Sequence, residues 1–149
     1  MSKLYFEDIN VGDTFVGDKV TVHPERMLAF AQEFDSQPMH LDPVAAKAIG
    51  LDDIIACGGY TFSLSAKSCI PIWDKIHFLP SGLGFQMSFV KPVYAGDELQ
   101  LHIGVVKKRP SRNPSRGVLE LKQALHNQKG VSVLDLENVI WLVRTTDSG

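Results

Sequence analysis

Cysteine is scarce in this chain: of 149 residues only Cys57 and Cys69 carry thiols. Two thiols make neither a disulfide framework nor a zinc cluster, so they are expected to be reduced side chains in or near a core. Long apolar runs are missing as well. No stretch approaches the roughly 18 residues of a membrane span. The start, MSKLYFEDINVGD, carries acidic residues where a secretory signal would need an unbroken apolar segment. A soluble cytoplasmic protein with no membrane partner is the expectation. Nor is there an excess of charge: 15 Lys and Arg stand against 17 Asp and Glu, a formal net charge of −2. That balance gives no whole-chain attraction for nucleic acid or anionic lipid, and any anion site must be local. Besides His40, the histidines at 23, 77, 102 and 126 are scattered, with no pair at metal-ligand spacing. No metal is expected. Internal repeats, low-complexity segments and linkers are absent too.

What is present is ordinary globular composition, 44% apolar and 21% charged. A chain of this length fits a single domain, residues 1–149, with a core that needs no metal or disulfide. A first strand is expected over Asp13 to Val22, entered through a turn at Val11-Gly12-Asp13. Pro24 suits the first position of a helix, and Met27, Phe30, Ala31 and Phe34 then form one apolar stripe. Pro38 prevents its continuation. Asp42-Pro43 reads as a helix cap plus proline, opening a short helix from Val44 to Ile49 that stops at Gly50. A second helical region, Tyr60 to Ile70, has few charges and is expected to be buried on most sides, ending near Pro71. From Gly82 onward LGFQMSFV, LQLHIGVVKK, GVLELKQALHNQ and GVSVLDLENVIWLVR read as strands separated by turn signals. Strand, helices, then strands joined by hairpins point to an α+β fold, one antiparallel sheet wrapped around one buried helix.

The segment FDSQPMHLDP, residues 34 to 43, could be a plain connection between helices. It could equally be a rigid platform that turns Asp35 and His40 towards one another. Asp35 could be a helix-end residue, His40 a half-buried neighbour of Pro38, and Gly58-Gly59 a tight turn before a helix. Cys57 has two readings also: a core thiol, or a nucleophile at a helix start, where a thiol pKa tends to fall. Residues Lys107 to Arg116 hold five positive charges in ten positions. They read as a solvated loop between strands, or as a local basic loop that steers phosphates.

Four pieces in order resemble the MaoC-like dehydratases and R-specific enoyl-CoA hydratases, which share the hot-dog fold. They are YFEDINVGD (5–13), DSQPMHLDP (35–43), ACG (56–58) and FVKPVYAGDEL (89–99). The resemblance covers most of the chain. It implies a sheet around a long central helix, in a homodimer whose sheets join edge to edge. It implies reversible hydration of a trans-2-enoyl-CoA to a 3-hydroxyacyl-CoA, of R configuration, with no cofactor beyond the coenzyme A of the substrate. Asp35 and His40 would be the dyad holding one water. Gly58, flanked by Cys57 and Gly59, would offer a backbone N–H to the thioester oxygen at a positive helix end. Lys108, Arg109, Arg112 and Arg116 would be available to coenzyme A phosphates. The chain departs from the hydratase pattern at Gln37, where asparagine is usual, at Cys57, where many members have histidine, and at Ala66, where a supporting serine would fall. Two alternatives stay open: an acyl-CoA thioesterase on the same fold, and a non-catalytic acyl-thioester-binding protein.

Overall fold

The computed structural model describes residues 2–81 and 83–146. A short 3-10 turn, Phe6–Asp8, leads into β1 (Thr14–Thr21), α1 (Pro24–Phe34), a second 3-10 turn (Pro38–His40) and α2 (Pro43–Ala48). Then come α3 (Gly58–Asp74), β2 (Phe78–Leu79), β3 (Gln86–Phe89), β4 (Glu98–Pro110), β5 (Arg116–His126) and β6 (Ser132–Arg144). All named strands form one antiparallel sheet in the order β1-β4-β5-β6-β2, with β3 pairing a different stretch of β6. This sheet curls around α3, the hot-dog architecture.

Strand alternation builds the core. In β4 the side chains of Leu99, Leu101, Ile103 and Val105 are buried, and in β5 those of Leu119, Leu121 and Leu125. In β6 the inward phase slips between Leu136 and Val139. The slip is a bulge at Glu137-Asn138 opposite Lys122, and Asn138 adopts φ +54°, a left-handed conformation that asparagine tolerates.

The central helix is longer than its sequence suggests. It begins at Gly58 and passes through Pro71 to Asp74 instead of ending near Ile70. A proline inside a helix leaves the carbonyl four residues back without its N–H partner. Here that residue is Lys67, on the exposed side, where water can meet the carbonyl. Beyond the proline, Ile72 and Ile76 are fully buried and the Trp73 ring stacks on Phe78, so tertiary packing carries the helix onward. The helix buries Tyr60, Thr61, Leu64, Ser65, Ser68, Cys69 and Ile72, and keeps one open stripe through Gly59, Ser63, Lys67, Ile70 and Asp74.

Two contacts pin α3 to the sheet. Ser68 Oγ donates to Asp18 O (2.6 Å) and accepts from Leu101 N (3.0 Å), bridging β1 and β4. β1 comes so close that a Cβ at Gly17 would fall on the Ser68 carbonyl oxygen and 2.6 Å from its Oγ. Gly17→Val is therefore expected to lower stability by about 1–3 kcal/mol, the usual overpacking cost. Denaturant midpoints measure it, and an unshifted midpoint would show that β1 can move away freely.

Three other expectations change. Phe34, read as part of the apolar stripe of α1, lies at the helix end and stays 67% exposed, its ring against Phe30. The LGFQMSFV strand shrinks to Gln86–Phe89, because it has a strand partner over those four residues only. The basic run is not one loop. Lys107 to Pro110 extend β4, Arg116 opens β5, and only 111–115 connect them, because the long β4–β5 ladder continues to Pro110–Gly117.

Candidate functional site

Asp35 caps the C-terminal end of α1, where its N–H bonds to Ala31 O (2.8 Å). Gln37, next in the extended link before Pro38, donates through Nε2 to Asp35 Oδ1 (2.7 Å). An amide donor on a carboxylate is a strong, orienting hydrogen bond. The other carboxylate oxygen, Oδ2, lies 3.5 Å from His40 Nε2.

The His40 ring is 4% exposed and clamped from behind: Nδ1 sits 2.8 Å from the Ile55 carbonyl oxygen. A carbonyl only accepts, so Nδ1 carries a proton, and when the ring is neutral Nε2 presents its lone pair towards Asp35. Ile55 is itself held, with its N–H on Met39 O and the next residue, Ala56, donating to Val93 O. Those bonds join the PMH turn to the KPVYAGD segment, whose own turn closes with Gly96 at φ +87° and Tyr94 N donating to Asp97 Oδ2. Asp42 acts only as the cap of α2, accepting from Val44 N (2.9 Å).

A neutral Nε2 and a carboxylate both accept. A water between them can therefore donate one hydrogen to each and keep a lone pair free for attack. Asp35 and His40 line one cleft of about 710 Å³ together with Gly58, Gly59 and Lys91. Gly58 opens α3, so its N–H belongs to the helix's unsatisfied first turn and faces the positive end of the dipole. Its lack of a side chain has a reason that sequence could not supply. The Phe89 ring lies over it, and a Cβ there would come 2.6 Å from Phe89 Cζ. Gly59 is similarly approached by Phe30, whose ring also packs on Tyr60, and these contacts set α1 against the start of α3.

Other residues singled out from sequence lie elsewhere. The Cys57 side chain is 1% exposed in the core, outside the cleft lining, and Cys57 serves as the N-cap position of α3. Lys108 Nζ donates to Ile9 O and sits over the Phe6 ring. Arg109 lines a small separate depression with Lys107 and Glu120. Arg112 lies in the β4–β5 connection, and Arg116 at the start of β5 has a buried Nε without a partner among the described residues. None of these four lines the cleft within one chain, whereas Lys91 does. Ala66 carries no hydroxyl and lines a neighbouring cavity instead of this cleft. Its serine neighbours, Ser63 and Ser65, donate to Gly59 O and Phe62 O of their own helix.

The family model described as "MaoC like domain" matches residues 9–126. A curated protein of Bacillus subtilis (strain 168), called uncharacterized protein YdeM, is 32% identical over 143 residues, 93% of this chain and 98% of that protein. Among solved structures, a MaoC-like dehydratase from Rhodospirillum rubrum superposes with a TM-score of 0.83 at 29% identity, covering 95% of this chain and 97% of that one. The R-hydratase PhaJ1 from Pseudomonas aeruginosa gives a TM-score of 0.70 at 22% identity, covering 96% and 86%, a likeness of fold.

Proposed function

This chain belongs to the MaoC-like domain family, and we propose that within that hydratase and dehydratase family it hydrates trans-2-enoyl-CoA thioesters reversibly to (R)-3-hydroxyacyl-CoA. The observation that carries this reading is the pairing of two acceptors, Asp35 Oδ2 and His40 Nε2, 3.5 Å apart in the cleft that Gly58 also lines. Hydration needs a water oriented for attack, a group to take its proton, and a donor for the charge that develops on the thioester oxygen. In our reading the water donates to both dyad atoms and its oxygen bonds to the β-carbon. One proton passes to the dyad and is returned to the α-carbon, so no net proton is gained or lost. The Gly58 N–H, at the helix start, receives the negative thioester oxygen. Neither the dyad nor the helix end needs a cofactor.

The same reading takes the working form as a homodimer, since Phe85, Met87 and Phe89 leave an apolar exposed face beside the cleft. Loss of absorbance from the conjugated enoyl thioester tests the activity. Release of free thiol in step with that loss would make the protein a thioesterase, because hydrolysis also removes the conjugated thioester, and binding with neither would make it an acyl-thioester carrier.

Coenzyme A phosphates would meet cations outside the dyad region: Lys91 at the cleft, and Lys108, Arg109, Arg112 and Arg116 if the basic hairpin approaches the cleft of a second copy. Exposed contacts of this kind weaken with salt. KM for the enoyl-CoA is thus expected to rise with ionic strength, and to rise less in Arg109→Ala/Arg112→Ala. Identical salt slopes would remove the hairpin from the substrate's path.

A further inference from the structure

A second cavity, of about 270 Å³, lies along the same helix and is bounded by α3, β5, β6 and the residues Ser81, Gly84 and Phe85. Phe62 borders both this chamber and the dyad cleft, and its ring packs on Phe85 at 5.5 Å, so the two spaces meet at that wall. Along α3 the chamber extends from Phe62 to Trp73, roughly 6 to 22 Å beyond Gly58 at the helical rise. An acyl chain whose thioester oxygen sits at Gly58 would enter it past Phe62.

Most of the lining is apolar: Phe78, Phe85, Leu136, Val139, Ile140 and Trp141. The exception is Gln123. It occupies an inward position of β5, in phase with Leu119, Leu121 and Leu125, and is 6% exposed. A carboxamide in such a place costs free energy unless something pairs with it. The two serine hydroxyls of the chamber are already committed, Ser65 Oγ to Phe62 O, and Ser81 Oγ to Leu79 O and Leu142 N. The Trp73 indole N–H, in another lining residue, is buried with no acceptor among the described residues. No described lining residue carries a charge. Burial pushes the Cys69 thiol, also in the lining, up to about 12, so this environment resists an anion.

We propose that the chamber receives the distal part of a short acyl group, and that Gln123 selects chains ending in an uncharged oxygen, a hydroxyl or a ketone. This rests on the acyl-thioester reading of the cleft and narrows it to a substrate class. A glutamine amide both donates and accepts, which suits a hydroxyl. A carboxylate would be buried with no cation to meet it, which the lining penalises. The volume falls below the roughly 300–1,000 Å³ of pockets for drug-sized ligands, which favours a short chain over a long one.

The test uses a series of CoA thioesters from butanoyl to octanoyl, each with and without an ω-hydroxyl. The saturated series is titrated calorimetrically, and the matching trans-2-enoyl series is followed by absorbance. The wild-type protein is expected to bind at least one hydroxylated member about tenfold more tightly than its plain partner, the scale of one net hydrogen bond. Gln123→Met is expected to lose that preference and favour the plain chain. Equal affinities across the series, no binding of either kind, or a preference that survives in Gln123→Met would overturn the inference. If Gln123→Met does not fold, the wild-type pairs decide alone. A retained binding preference without hydration of any enoyl member would overturn the hydratase reading and leave the chamber's selectivity standing.

Discussion

Asp35→Asn and His40→Ala are each expected to lower the hydration rate by at least about a hundredfold, the lower scale of acid–base contributions. In the wild type Asp35 Oδ2 and His40 Nε2 lie 3.5 Å apart, so a water that bridges them as acceptors would direct both hydrogens at the pair. An asparagine at 35 keeps the shape and the Gln37 neighbour, but removes the negative charge that draws a proton from the water. An alanine at 40 removes the second acceptor and leaves the Ile55 carbonyl without its 2.8 Å donor. That loss costs stability of roughly 1–3 kcal/mol if the carbonyl stays dry, so melting curves accompany the rates. In the dyad reading both groups act on one water, so the double variant is expected to be little worse than either single one. Losses that multiply would mean separate jobs. A folded Asp35→Asn or His40→Ala protein with near-normal turnover would end the dyad reading.

Gly58→Val carries the second large effect, a loss of about a hundredfold or more, which is the scale of losing one oxyanion donor. Its cause is more specific than crowding of the substrate. A side chain at 58 meets the Phe89 ring at 2.6 Å, so either the ring moves into the cleft or the start of α3 moves away from it. Either shift displaces the N–H that would face the thioester oxygen. Phe89 is 55% exposed and can swing without opening the core, so the fold is expected to survive with a similar melting temperature. Unaltered turnover in a folded Gly58→Val protein would take Gly58 out of the site. Unfolding would show that the Phe89–Gly58 contact is structural first, and Phe89→Ala would then be the variant whose rate is read.

Element types were readable because they depend on local patterns. The alternation of β4 and β5, the Asp42-Pro43 cap and the Gly50 stop (φ +92°) all stand where the pattern puts them. Local rules misplaced what non-local packing overrides. Pro71 should break a helix, yet buried Ile72 and Ile76 carry α3 through it. Arg109 and Pro110 look like loop, yet the ladder with β5 makes them strand.

The candidate site divides in the same way. Asp35 and His40 stand out in sequence because five positions and a proline hold two titratable groups within reach of one another. Composition also shows no whole-chain attraction for a charged partner, since acids and bases nearly cancel. The tautomer of His40 could not be read, because it is set by the backbone carbonyl of Ile55, fifteen residues away and carrying no side-chain signal. Nor could the contact of Phe89 with Gly58, or the turning of Gln123 towards a chamber behind Phe62. A strand's sequence gives the phase of its side chains, but only the curl of the sheet around α3 decides which helix residue, ring or cavity each inward side chain meets.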